Sequence, residues 1–124
     1  MAQSIATREG YGETLVELVK EGHDIMAVEA DLSGSTTTKK LQDYDSSRLV
    51  NVGIAEQNMI GVAAGLSLAG KTVFTGSFAA FGTGRCYDQI RNTVCYASLD
   101  VKVAPTHAGI TVGPDGGSHQ MLED

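Results

Sequence analysis

The stretch NVGIAEQNMIGVAAGLSLAGKTVF, residues 51–74, carries a single carboxylate in a run that is almost without charge. Its apolar residues leave hardly any polar face between Ile54 and Ala69, which predicts a helix that is covered on both sides. Glu56 falls in the first turn of that helix. Charged side chains are seldom buried unless they are paired or used in chemistry, so Glu56 either complements the helix dipole or takes part in catalysis.

The segments around this helix alternate between helical and extended patterns. Strands are predicted at 24–31, 48–53, 71–76 and 101–107, helices at 9–22 and 78–99, and a poorly packed helix or turn at 37–47. Regular alternation of this kind predicts an α/β fold, a parallel sheet with helices on both faces. We expect one domain over residues 1–124. Because HQMLED at 119–124 looks like the start of a helix, that domain is expected to be incomplete at its C-terminus.

Composition excludes several classes of protein. A chain of 124 residues with 42% hydrophobic content can bury one core of ordinary size, and a net charge of −6 weighs against nucleic acid or an anionic membrane as partner. No stretch reaches the roughly 18 apolar residues that a membrane-spanning helix needs. Cys86 and Cys95 lack zinc-type spacing and are expected to remain reduced, which fits a cytoplasmic protein.

Polar and aromatic residues follow each predicted strand. In an open parallel sheet ligands bind beyond the carboxyl ends of the strands, so residues at those ends are candidates for a site. In strand order, they are Asp31; Gly53 and Glu56; Ser77, Phe78 and Phe81; and His107, Asp115 and His119. The sequence therefore predicts a site at this one edge of the sheet.

Each candidate also has a structural interpretation. Phe78 and Phe81, three residues apart at a helix start, fit a core as well as a surface that stacks on a ligand. His107 and His119 fit loop histidines bonded to the backbone, or two ligands of a zinc site completed by Asp115 or a partner. The residues alone leave these alternatives open.

Four motifs in order resemble the pyrimidine-binding domain of the transketolase family. They are EADLSGST at 29–36, VNVGIAEQNMIGVAAGLSLAGKTVFTGSFAAF at 50–81, YDQIRN at 87–92 and THAGITVGPDGGSHQMLED at 106–124. The resemblance covers residues 11–124, and the chain resembles the C-terminal subunit of a split transketolase in truncated form. It implies the thiamine diphosphate-binding fold in its pyrimidine-type form. Pro114 stands where the family usually has an acidic residue.

The resemblance implies how the cofactor, thiamine diphosphate, would be bound. Glu56 matches the family's catalytic glutamate, which relays a proton through N1′ of the aminopyrimidine ring. Phe78 and Phe81 match the aromatic pair that packs on this ring. Asp31 matches an acid near the thiazolium. The family's cofactor lies between two domains, which gives the second apolar face of the Glu56 helix a partner, with Gly61 and Gly65 permitting close approach.

The same match implies the reaction. His107 matches a catalytic histidine near the thiazolium and the substrate, while Asp115 and His119 match residues that bind the substrate. The expected activity is transfer of a two-carbon ketol unit from a ketose to an aldose, with sugars or sugar phosphates as substrates. Three alternatives remain: a related enzyme such as deoxyxylulose-phosphate synthase, a non-catalytic interaction subunit, and a metal-binding module built on His107, Asp115 and His119.

A partner is implied as well. The family's metal motif, Gly-Asp-Gly followed at a distance by Asn, does not occur in this sequence. We therefore expect a diphosphate-binding subunit to hold the diphosphate together with Mg²⁺ or another divalent cation, in a homo- or hetero-oligomer.

Overall fold

Four parallel strands form the sheet in the computed structural model, which describes residues 4–123. In spatial order they are β2 (Leu49–Asn51), β1 (Ile25–Glu29), β3 (Thr72–Gly76) and β4 (Val101–Val103). Ala27 on β1 sets the register, since it pairs with Leu49 on one side and Phe74 on the other. All four strands therefore end at the same edge.

Helices cover both faces of this sheet. They are α1 (Thr7–Lys20), α2 (Ser33–Thr36), α3 (Lys39–Tyr44), α4 (Glu56–Leu68), α5 (Ala79–Gly82) and a π-helix (Gln89–Cys95), with 3₁₀ turns at Ser46–Arg48 and Gly116–Ser118. On one face, Met59 and Ile60 of α4 pack with Val28 and Val73 of the sheet. The predicted fold class, a parallel sheet with helices on both faces, is confirmed.

The second core lies on the opposite face. Leu15 of α1 and Leu41 of α3 are fully buried with Ile25 and Ala27 of β1. Leu15 lies within the helix that the sequence predicts at 9–22. The expectation of a poorly packed segment at 37–47 is wrong at Leu41. Its side chain is fully buried against α1 and the sheet.

The prediction of one long helix at 78–99 is wrong, because this segment is not a continuous helix. The chain forms the single turn α5, then a tight turn at 83–86, and then the π-helix, in which Tyr96 N–H donates to the Arg91 carbonyl. A glycine allows the break, since a Cβ on Gly84 would lie 2.7 Å from the Ala80 carbonyl oxygen. The interruption changes which way the side chains between the two helical pieces point.

The helix expected to start at 119–124 is also wrong over the described part, and Asp124 lies outside the described residues. Met121 instead exchanges two backbone hydrogen bonds with Gly109, which hold this segment against the start of the glycine-rich loop. A Met121 N–H that is bonded to a distant carbonyl is not available to a helix.

The outer face of α4 is open. Among residues 4–123, no heavy atom outside the neighbouring helix backbone lies within 4 Å of where a Cβ would stand on Gly61 or Gly65. Ile54, just before the helix, and Leu68, at its end, are 76% and 75% exposed. One side of this apolar helix therefore meets the sheet, and the other is uncovered by the described part of the chain.

Two other expectations from the sequence bear on the fold. Among residues 4–123, no helix is long and apolar enough to cross a membrane. Cys86 and Cys95 both carry free thiols, Cys86 buried and Cys95 exposed. Burial, with a smaller contribution from Glu56, raises the pKa of the Cys86 thiol to about 11, which keeps it protonated and unreactive.

Candidate functional site

The candidate residues gather at the carboxyl edge of the sheet. Asp31 follows β1, Glu56 opens α4 after β2, Phe78 follows β3, and His107 follows β4. A backbone bridge between Phe78 and Thr106 extends the pairing of β3 and β4 beyond the strands themselves. This extension brings the residues after the third strand against those after the fourth.

Glu56 is a buried acid that makes one polar contact within the described part of the chain. Its side chain is 5% exposed, and its Oε1 accepts a hydrogen bond from Nη1 of Arg85 at 3.1 Å. No side chain caps the start of α4, so the carboxylate lies beside free backbone N–H groups at the positive end of the helix dipole. A cavity of about 450 Å³, lined by Ala55, Gln57, Asn58 and these two side chains, opens next to the carboxyl group.

Four rings form an aromatic wall, which we define as Phe78, Phe81, His107 and His119. The two phenylalanine rings are stacked, with centroids 6.2 Å apart and an interplanar angle of 21°. His107 lies 4.0 Å from Phe78, and His119 meets the edge of Phe81 at 5.1 Å. Phe78 is 5% exposed and belongs to the core, whereas Phe81 is only partly buried and presents ring surface outward.

Arg85 joins the carboxylate to the aromatic wall. Its guanidinium carbon lies 4.3 Å from the centroid of the Phe81 ring while its Nη1 donates to Glu56. Arg85 was not among the residues predicted from the sequence, because a single helix over 78–99 gives it no place at the strand ends. The two glycines on either side of Thr83 were the available signal, since Gly82 and Gly84 make a break in that helix plausible.

His107 is held in one orientation and one tautomer. Its backbone is in the left-handed region, with φ of 60°. Arginine can only donate hydrogen bonds, so Nε2 of His107 accepts from Nη1 of Arg8 at 3.1 Å. The hydrogen then resides on Nδ1, which lies 2.7 Å from the hydroxyl of Thr106. Burial and the Arg8 charge lower the pKa of His107 against a weaker opposing effect of Asp115, so the ring is neutral at pH 7.

A second cavity adjoins His107. It has a volume of about 660 Å³ and lies between the start of α1 and the segment after β4, where Arg8, Thr106, His107 and Thr111 line it. Arg8 was also missed by the sequence analysis, since the contact joins opposite ends of the chain. The cavity offers a fixed cation beside a neutral imidazole, a pair that suits an anionic or hydroxyl-rich ligand.

The loop residues Asp115 and His119 are placed differently from each other. Nδ1 of His119 lies 2.9 Å from the Ser118 hydroxyl and its ring contacts the aromatic wall, whereas Asp115 is exposed. Within residues 4–123, no group of three or more His, Cys, Asp or Glu side chains is arranged to hold a metal ion. The metal-binding module built on His107, Asp115 and His119 therefore gains no support from the described part of the chain.

Asp31 lies apart from the aromatic wall. Its backbone N–H donates to Oδ1 of Asn51, and Nδ2 of Asn51 donates back to Oδ1 of Asp31, both at 3.1 Å. The Gly53 N–H, at 3.0 Å, shares the same Asn51 oxygen. Asn51, a third residue missed from the sequence, ties the end of β1 to the turn that leads into α4.

Comparisons with known proteins agree on one family. A family model of the transketolase pyrimidine-binding domain matches residues 3–124. A Methanocaldococcus jannaschii protein named for the C-terminal section of transketolase is 56% identical over 117 residues, which are 94% of this chain and 37% of that protein. A 6-deoxy-6-sulfo-D-fructose transketolase subunit of Clostridium sp. strain MSTE9 is 42% identical, over 94% of this chain and 36% of its own.

A solved structure gives the same result in three dimensions. A split-gene transketolase, an inactive β4 tetramer, superposes with a TM-score of 0.79 at 51% identity, over 95% of this chain and 37% of that one. The chain thus spans little more than a third of the length of these relatives. The chain belongs to the transketolase family, whose pyrimidine-binding domain it carries.

Proposed function

We propose that this chain is the pyrimidine-binding part of a thiamine diphosphate-dependent transketolase, which transfers a two-carbon ketol unit from a ketose to an aldose. The observation that carries the proposal is a buried carboxyl group, Glu56, at the same sheet edge as the partly exposed ring of Phe81, with a cavity beside the carboxyl. A flat heteroaromatic ring needs these two features, one to hold its nitrogen and one to pack on its face.

The described residues fit the pyrimidine half of the cofactor. Phe78, anchored in the core, supports Phe81 from behind, so that the outward surface of Phe81 is a firm platform for a ring. Among the described residues, Glu56 has one hydrogen-bond partner, Arg85 at Oε1, which leaves the second carboxyl oxygen for a ring nitrogen. When bound, thiamine diphosphate would supply a nucleophilic thiazolium carbon and an electron sink for cleavage of the carbon–carbon bond.

Glu56 holds and moves a proton in this proposal. Its carboxyl group would bond N1′ of the aminopyrimidine and exchange a proton with it. Met59 and Ile60, one turn further along the same helix, are fully buried, whereas Gln57, Asn58 and Arg85 line the cavity beside the carboxyl group. Because the Glu56 side chain is only 5% exposed, a hydrogen bond to N1′ would be stronger than the same bond in water.

The remaining candidates face either the substrate or the thiazolium in this scheme. His107, neutral and fixed by Arg8 and Thr106, would bond hydroxyl or carbonyl oxygens of the sugar and act in catalysis beside the thiazolium. His119 and Asp115, on the glycine-rich loop, would bind the substrate chain. Asp31, ordered by Asn51, would lie near the thiazolium end of the cofactor. The family resemblance supports these four assignments.

A second polypeptide or domain completes the site. The motif that binds the diphosphate and its divalent cation does not occur in the sequence, so a diphosphate-binding partner would supply both. The open outer face of α4 is the surface we assign to an oligomeric contact. Split-gene relatives and the tetrameric neighbour support assembly from separate subunits.

The test is reconstitution with the diphosphate-binding partner, Mg²⁺ and thiamine diphosphate. We expect no ketol transfer by this chain alone, and transfer when partner and cofactor are both present. Turnover by the purified chain alone would contradict the need for a partner. A stable complex that binds no thiamine diphosphate would contradict the proposed function itself.

A further inference from the structure

One side chain makes both contacts that the pyrimidine ring would require. Arg85 lies with its guanidinium carbon 4.3 Å from the centroid of Phe81, and its Nη1 is 3.1 Å from Oε1 of Glu56. A guanidinium is flat, delocalised and rich in donors, so it can pack on an aromatic face and bond a carboxylate at the same time. An aminopyrimidine has the same two properties.

The backbone of Arg85 is fixed, while the end of its side chain is not. Nε2 of Gln57 on α4 donates to the Arg85 carbonyl at 3.0 Å, and the close turn at Gly84 precedes it. The Arg85 side chain itself is 52% exposed and lines the cavity of about 450 Å³ next to Glu56. The guanidinium can therefore leave Phe81 for open space without unfolding the turn.

We propose that Arg85 is a displaceable placeholder: its guanidinium occupies the pyrimidine position in the cofactor-free chain and moves out when the cofactor binds. The inference rests on the proposed function, since it takes Glu56 and Phe81 as the pyrimidine contacts. A placeholder keeps the Glu56 charge paired in a buried position, where an isolated carboxylate is costly.

Displacement also changes what Glu56 can do. An ion pair with Arg85 needs Glu56 as a carboxylate, whereas a proton relay needs the carboxyl group to carry a proton in part of the cycle. While Arg85 remains in place, it holds Oε1 of Glu56 and covers the face of Phe81 where a ring would pack. Binding of the cofactor thus competes directly with an internal contact.

The test is calorimetric titration of thiamine diphosphate with Mg²⁺ into the complex of this chain and its diphosphate-binding partner. Arg85→Met removes the charge and the donors but keeps an unbranched apolar stem, and Arg85→Lys keeps the charge without the planar guanidinium. We expect Arg85→Met to lower the Kd roughly 3- to 10-fold, the loss of one half-exposed ion pair and one cation–π contact, with Arg85→Lys between it and wild type. Arg91→Met, at an exposed position on the π-helix, is the matched control and should leave the Kd unchanged.

The dependence of the Kd on salt concentration tests the same contact in a second way. The ratio between the wild-type and Arg85→Met Kd should shrink as salt rises, because screening weakens the ion pair only in the wild type. An unchanged or higher Kd for Arg85→Met, alongside weaker binding by Phe81→Ala, would overturn the placeholder and leave the proposed function standing. A wild-type complex that binds no thiamine diphosphate would overturn both.

Discussion

The rings of Phe78 and His107 lie 4.0 Å apart, centroid to centroid, although one residue follows β3 and the other follows β4. Main-chain hydrogen bonds cause this contact: Thr106 N–H donates to the Ser77 carbonyl, and Ala79 N–H donates to the Thr106 carbonyl at 2.7 Å. The sheet therefore fixes the inner part of the aromatic wall before any ligand is present. Such a rigid support lowers the ordering cost of binding a flat ring.

The two phenylalanines should respond differently to truncation. Phe78→Ala is expected to cost about 3 to 5 kcal/mol of folding stability, because the ring is 5% exposed and packed in the core. Phe81→Ala should cost much less stability and instead raise the Kd for thiamine diphosphate roughly tenfold in the complex with the partner, through loss of ring stacking. Thermal unfolding and calorimetric titration of the two variants check this. Tight cofactor binding by a folded Phe81→Ala variant would contradict the role of that ring.

Arg8 should control the protonation of His107. Burial and the Arg8 charge hold the pKa of His107 below its ordinary value of 6.5, so removing the cation in Arg8→Met should move that pKa upward. The imidazole would then gain a proton at a higher pH than in the wild type. Titration of the His107 ring signals by NMR measures the change, with the exposed His23 as an internal reference. A lower pKa for His107 in Arg8→Met would show that the contact is wrongly assigned.

Glu29 should make stability depend on pH. It is completely buried, with Thr36 and Thr38 hydroxyls donating to Oε1, and burial raises its pKa above 4.5. The folded chain therefore retains a proton that the unfolded chain releases, so stability falls as pH rises from about 4.5 through the raised pKa. The Tm of Glu29→Gln relative to wild type should increase over that range. Glu17→Gln, at an exposed position on α1, is the control. A Tm difference between Glu29→Gln and wild type that stays constant with pH would contradict the prediction.

Local patterns in the sequence predicted the main elements well. The almost uncharged run with Glu56 near its start predicted α4 and the strand after it. An apolar helix between two short apolar strands is typical of a parallel sheet covered by helices. Because parallel strands all end on the same side of a sheet, the predicted strands also placed Glu56, Phe78 and Phe81 at one edge. These features depend on neighbours along the chain.

Features that depend on distant parts of the chain could not be predicted in this way. The contact between Arg8 and His107 joins residues at opposite ends of the sequence, and Arg85 reaches Glu56 only because the chain breaks at Gly84. Glu29 looks like an ordinary residue at the end of a strand. Its burial follows from the segment at 36–38 folding back over β1, which no periodic pattern reveals.

The outer face of α4 should be needed for assembly. Gly61→Leu adds a side chain where no heavy atom lies within 4 Å, and leucine is a better helix former than glycine by about 0.5 to 1 kcal/mol, so the fold should be retained. Association with a second copy or with the diphosphate-binding partner should be lost. Sedimentation velocity measures both. Glu17→Leu places the same side chain on the exposed face of α1, and equal association of the two variants would argue against an α4 interface.

Exchange of the C2 proton of thiamine diphosphate for deuterium, in the complex with the diphosphate-binding partner, tests the role of Glu56 most directly. Glu56→Gln keeps the shape of the side chain and one hydrogen bond to the pyrimidine but cannot carry the proton. The cofactor should therefore still bind, while exchange slows by roughly 10² to 10⁴, the usual contribution of general acid–base catalysis. Equal exchange rates in wild type and Glu56→Gln would contradict the proton relay and leave Glu56 as a residue that only complements the helix dipole.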